Sequence, residues 1–94
     1  MDEAACPVYH PQVAMTVTDG QAVIVLADTG QVIVLNEMGT YIWSLCSGKK
    51  TISQIVQLIT QDYQVDLNTA QDDAQGFLQQ MLDLGAIVLI DKPT

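Results

Sequence analysis

Arginine is absent from this chain, and lysine occurs only at Lys49, Lys50 and Lys92. Eleven acids stand against them, leaving a formal net charge of −8. Affinity for nucleic acid or an anionic membrane comes largely from Lys and Arg displacing counterions at phosphates, which three scattered lysines cannot supply. Neither is expected as a partner. Cys6 and Cys46 form no CxxC pair and His10 is the one histidine, so no metal-ligand set is present. The six glycines are isolated, which removes any phosphate-cradling loop and with it nucleotide binding. No apolar run approaches the roughly 18 to 20 residues of a membrane span, since the longest, Ala22 to Ala27, is strand-sized. The N-terminus, Met1-Asp2-Glu3-Ala4-Ala5, is acidic where a secretory signal is basic, and the expected compartment is the cytoplasm.

What is there suffices for one small domain: 94 residues, 49% hydrophobic against 15% charged, too apolar for a disordered segment. Residues 1–12 contain Pro7 and Pro11, show no period and read as a flexible arm; 91–94 read as a frayed tail, leaving 13–90 as the folded unit. Asp19-Gly20 and Thr29-Gly30 separate three runs rich in Val, Ile and Thr, which predicts a three-stranded antiparallel meander. With two-residue turns, Val13, Met15, Val17, Ala22, Ile24, Leu26, Ile33 and Leu35 share the core face. The opposite face carries Ala14, Thr16, Val23, Val25, Ala27, Val32 and Val34, unusually apolar for a face turned to water. The arm, the run Ala86 to Ile90, a second copy of the chain or a partner would cover it.

After Leu35 the period changes from two to about 3.6. Asn36 caps a first helix, with Met38, Ile42, Leu45 and Cys46 at helical spacing and Gly48 as its stop. Thr51 opens a capping box with Gln54 for a second helix reaching Tyr63. Asn68 and Gln71 repeat the pattern for a third, lined by Ala70, Ala74, Phe77, Leu78, Met81 and Leu82 and closed by Gly85 before a short strand, Ala86 to Ile90. The fold class is α+β, three strands followed by three helices and a short C-terminal strand.

No convergent set of catalytic groups assembles, so the chain reads as a non-enzyme without metal or cofactor. His10 belongs to the arm, Cys46 falls at a core position and Cys6 reads as exposed with nothing to lower its pKa. Asp72 and Asp73 suit the first turns of a helix, either as solvated charges or as a steering field for a basic partner. Tyr41 and Trp43 read as half-buried packing residues. Gly76 lies mid-helix, where it costs about 1 kcal/mol relative to alanine; either it packs against the first helix or it admits another chain.

The run Val34-Leu35-Asn36-Glu37-Met38-Gly39-Thr40-Tyr41-Ile42-Trp43-Ser44-Leu45, then Gly48, Thr51, Ile55 and Tyr63, resembles the PqqD-like family, as does Asp73-Ala74-Gln75-Gly76-Phe77-Leu78 with Leu82 and Gly85. The resemblance covers about residues 13 to 90. It implies a winged-helix-like RiPP recognition element, a peptide chaperone that binds the leader segment of a ribosomally made precursor and presents it to a modifying enzyme, radical-SAM in pyrroloquinoline quinone biosynthesis and other maturases elsewhere. The same resemblance implies a leader added as a strand beside the third strand and resting on the third helix. The third strand, Gln31, Val32, Ile33, Val34 and Leu35, carries no proline or inward charge to protect it as a sheet edge, and Asp73, Gly76, Phe77, Gln80 and Leu84 recur along the facing helix. These ten residues are the expected peptide-binding site. Two rival readings are a homodimerising structural or regulatory domain and a winged-helix DNA binder.

Overall fold

The computed structural model describes residues 2–91. Within them the order is β1 (Cys6–Tyr9), β2 (Val13–Thr18), β3 (Gln21–Leu26), β4 (Gln31–Val34), α1 (Glu37–Ser44), α2 (Ile52–Tyr63), α3 (Leu67–Asp83) and β5 (Ile87–Ile90). Strands β2, β3 and β4 form the expected antiparallel meander, while β1 and β5 pair in a separate two-stranded sheet. Of the tail expected over 91–94, residues 92–94 lie outside the described residues.

Asp19 and Gly20 both have positive φ, 53° and 78°, the backbone of a two-residue turn whose twist matches its flanking strands. The second connection differs from expectation. Leu26 pairs with Gln31, so the loop has four residues rather than two, with the Gly30 N–H donating to the Leu26 carbonyl at 2.7 Å. Because the two lengths differ by an even number, side-chain alternation is preserved: Ala22, Ile24, Leu26 and Leu35 are buried, and Val25, Val32 and Val34 are exposed.

Met15 and Val17 hold the expected register, opposite Ile24 and Ala22, yet they are 49% and 57% exposed rather than in the core. Strand β2 is the outer strand of the sheet and overhangs the helical layer: α1 packs on β3, and the Trp43 indole N–H reaches Met15 Sδ at 2.8 Å. The outer face also lacks the covers expected of the arm and the C-terminal run. Those two segments pair with each other instead, Cys6 opposite Ile90 and Tyr9 opposite Ile87.

Residues 6–9 are therefore a strand, not part of a flexible arm, and they are stitched down on both sides. The Pro7 carbonyl accepts from Gly48 N–H, the Ala5 carbonyl from Ile52 and the Glu3 carbonyl from Ser53, all at 2.9–3.0 Å. Pro7 has no N–H to donate, which an edge strand tolerates. Ala5 and Cys6 are buried, so the expectation of an exposed Cys6 is corrected: a four-residue strand is too short to announce itself by period.

Helix boundaries follow their caps. Asn36 accepts from the Gly39 N–H at 2.7 Å, and both bonds of the Thr51–Gln54 capping box form. Helix α1 ends at Ser44, short of Gly48. Helix α3 begins two residues earlier than Asn68 would place it, because Asp66 takes the cap and accepts from Thr69 N–H at 2.8 Å; hydrogen bonding from the Thr69 side chain and then its backbone holds the Asp66 carboxyl below the usual range. Gly85, with φ of 76°, turns the chain out of α3 into β5. Trp43 is fully buried rather than half-buried; its ring lies 4.7 Å from that of Tyr9, whose hydroxyl donates to the Trp43 carbonyl at 2.6 Å.

Both cysteines are buried and unpaired, and burial pushes the Cys46 thiol up to about 12. Ellman's reagent at pH 8 is expected to find no reactive thiol in the folded protein and two in urea; a rapidly reacting native thiol would contradict the buried β1. Thr51→Ala removes the Gln54 N–H acceptor and is expected to cost about 1 kcal/mol in urea unfolding.

Candidate functional site

Strand β4 has a neighbour on one side. The Leu35 N–H donates to the Ala22 carbonyl at 2.8 Å, making Ala22–Leu35 a hydrogen-bonded pair. Antiparallel ladders alternate, so with Ile24 opposite Ile33 that pair also bonds across to β3, and Gln31, opposite Leu26 at the loop, turns the same way with its N–H donating to Thr29 Oγ1 at 3.2 Å. The N–H and C=O of Val32 and Val34 consequently point away from the sheet. Five open residues were expected from the sequence; the structure reduces them to two, and Leu35 is a core residue only 5% exposed.

Those two valines border a groove of about 710 Å³ between β4 and the C-terminal half of α3. It brings together Gln31, Val32, Ile33, Val34, Gly76, Gln80 and Leu84 from the expected set, and adds Gln79 and Asp83. Asp73 and Phe77 line a second cavity of about 360 Å³, closed on the other side by Asn36, Met38 and Gly39 at the start of α1. Gln80 lines both, so the two adjoin along α3, and together they are referred to as the trough. Asp83 was legible: Asp73, Gly76, Gln80 and Asp83 follow i, i+3, i+7, i+10 spacing, one more turn of the stripe already singled out.

The core sets the orientation of this stripe. Ala70, Ala74, Leu78 and Met81 are fully buried at near four-residue spacing, which turns the Asp73–Gly76–Gln80–Asp83 side toward β4. At Gly76 an added Cβ would meet nothing within 4 Å, so this glycine does not serve close packing on α1; it leaves the trough open. The close approach occurs at Gly39, where a Cβ would lie 3.1 Å from both Asn36 Oδ1 and Phe77 Cε1.

Aspartates 73 and 83 supply the trough's charge, and none of its lining residues is basic. The Asp83 carboxylate accepts from Gln79 Nε2 at 2.9 Å, and the remaining polar lining is amide. Such a surface can offer main-chain pairing, apolar contact and negative charge. Among the described residues no three His, Cys, Asp or Glu side chains come together to hold a metal. Nor is any described helix long and apolar enough to cross a membrane. The other acidic feature, where the Tyr41 hydroxyl donates to the Asp62 carboxylate and is pushed up to about 12 chiefly by burial, lies outside the trough.

Three comparisons bear on this geometry. The family model for coenzyme PQQ synthesis protein D (PqqD) matches residues 21–87, from β3 through the first residue of β5. No curated protein matches the chain. Among solved structures, TbiB1 in complex with the TbiA(beta) leader peptide superposes with a TM-score of 0.79 at 28% identity, covering 85% of this chain and 93% of that one. Lasso peptide synthetase B1 complexed with the leader peptide also gives 0.79, at 18% identity over 87% and 96% of the two chains, a likeness of fold.

Since the Val34 N–H makes no bond to β3, Val34→Pro is expected to keep the melting temperature within a few degrees of the parent. Ile33→Pro removes a ladder donor and is expected to unfold the sheet at far lower temperature. Circular dichroism melts of the two variants separate the outward from the inward residue. Gly76→Ala, free of steric conflict, is expected to stabilise by about 0.5 to 1 kcal/mol through helix propensity.

Proposed function

The chain belongs to the coenzyme PQQ synthesis protein D (PqqD) family, and from that premise we propose that it is a non-catalytic recognition domain for the leader of a ribosomally made precursor peptide. The leader lies in the trough as an added strand, its backbone pairing with the outward N–H and C=O groups of Val32 and Val34, and its side chains resting on Gly76, Phe77, Gln80 and Leu84. Held there, the precursor is presented to a modifying enzyme, of radical-SAM or another maturase class.

One observation carries this reading: an uncovered sheet edge faces a helix across an open groove of about 710 Å³. Strand addition draws affinity from the main chain and selectivity from the adjoining wall, and both elements are present side by side. The relative at 28% identity, TbiB1, was solved with a leader peptide, which supports the same use of the fold.

Self-association is the second reading, favoured by the uncovered outer face, where Val32 and Val34 are 60% and 62% exposed. Light scattering after size exclusion decides whether the chain dimerises. A dimer that excludes peptide would support this second reading.

The test uses synthetic leaders from short precursors encoded beside the gene, titrated by calorimetry. Val34→Pro is expected to abolish binding while preserving the fold. Gly76→Trp, which fills the trough from the helix side, is expected to weaken binding at least tenfold with little change in melting temperature. Unchanged affinity in both variants would count decisively against the trough.

A further inference from the structure

The trough carries charge of one sign at two separated points. Asp83 borders the cavity beside β4, Asp73 borders the one beside the start of α1, and Gln80 joins them. Both carboxylates lie on the same side of α3, ten positions apart. At 1.5 Å rise per residue they are separated by about 15 Å along the helix axis. An extended chain advances about 3.4 Å per residue and returns a side chain to the same face every second residue. Four residues of strand, about 13.6 Å, therefore match the separation most closely, whereas three or five would send the second side chain to the opposite face.

Between the two aspartates, Gly76 leaves open space where any other residue would place a side chain, and Gln80 provides the adjoining floor. Along the axis Gly76 stands about 4.5 Å and Gln80 about 10.5 Å from Asp73, so the residue midway along the four-residue span, about 6.8 Å along, falls between them and beside this opening. Lys49 and Lys50, the basic residues of the described chain, belong to the turn between α1 and α2 and line neither cavity. With a net charge of −8, the protein repels an acidic segment and attracts a basic one.

Resting on the leader-binding reading, we infer that the trough selects a leader segment of the form basic-x-bulky-x-basic: two Lys or Arg residues four apart, meeting Asp73 and Asp83, with a large side chain between them seated at Gly76. Selection comes from spacing as well as sign. The basic pair fixes the register of a strand whose backbone pairing alone would allow it to slide by two residues.

The experiment pans a display library of randomised 12-residue peptides on the immobilised full-length chain and, in parallel, on the Asp73→Asn/Asp83→Asn double variant. Enriched peptides are then synthesised and titrated by fluorescence anisotropy. The expected result is enrichment of Lys or Arg at positions i and i+4 on the parent chain and its loss on the double variant. For such a peptide, each Asp→Asn change should weaken binding roughly two- to fivefold, the range for a partly exposed ion pair, and the double variant should lose most of the salt dependence. Val34→Pro and Gly76→Trp serve as independent blocks of the trough. Enriched peptides that either block removes, but that lack the basic pair or keep it on the double variant, would overturn this inference and leave leader binding standing. A selection yielding no peptide sensitive to either block would overturn both.

Discussion

A strand at the end of a sheet divides its backbone groups into two sets, and the division at β4 governs everything built around it. Gln31, Ile33 and Leu35 turn inward to β3, and the ladder bonds of Ile33 and Leu35 anchor the strand. Val32 and Val34 turn outward, so a visiting backbone takes nothing away from the resident sheet. Leu35 reinforces the division from the side-chain direction, being locked into the core within a residue of the open edge. Helix α3 faces that edge because its alanine, leucine and methionine stripe is fully buried.

Two glycines illustrate how the same residue serves opposite ends within this arrangement. Gly39 lets Phe77 and Asn36 come within reach of the α1 backbone, drawing α1 and α3 together. Gly76, on the facing helix, is surrounded by nothing and keeps one wall of the trough bare. The first closes a contact, and the second withholds one.

Much of this was legible in the residues. Asp19-Gly20 announced its turn, the Thr51–Gln54 capping box placed α2 correctly, and alternation assigned the buried residues of β3 and Leu35 just after β4, even though the second hairpin loop is longer than expected. The ten anticipated site residues line two adjoining cavities, apart from Leu35, whose alternation placed it in the core. Three features escaped for physical reasons. Strand β1 is four residues long, includes a proline and is stabilised by partners near the other end of the chain, so no local pattern reports it. The exposure of Met15 and Val17 depends on how far the helical layer extends beneath β2, which periodicity does not encode. The split of β4 into inward and outward groups depends on hydrogen-bond phase, which requires the register to the single bond.

The pairing of β1 with β5 sets Cys6 against Ile90, across nearly the whole chain, whereas the meander and the helices join segments that are close in sequence. Closing so long a loop costs more chain entropy than closing either hairpin. Helix α3 runs through Gly85 directly into β5, so its C-terminal end is moored by this pairing. The helix that walls the trough is thereby tied, at its C-terminal end, to residues near the start of the chain.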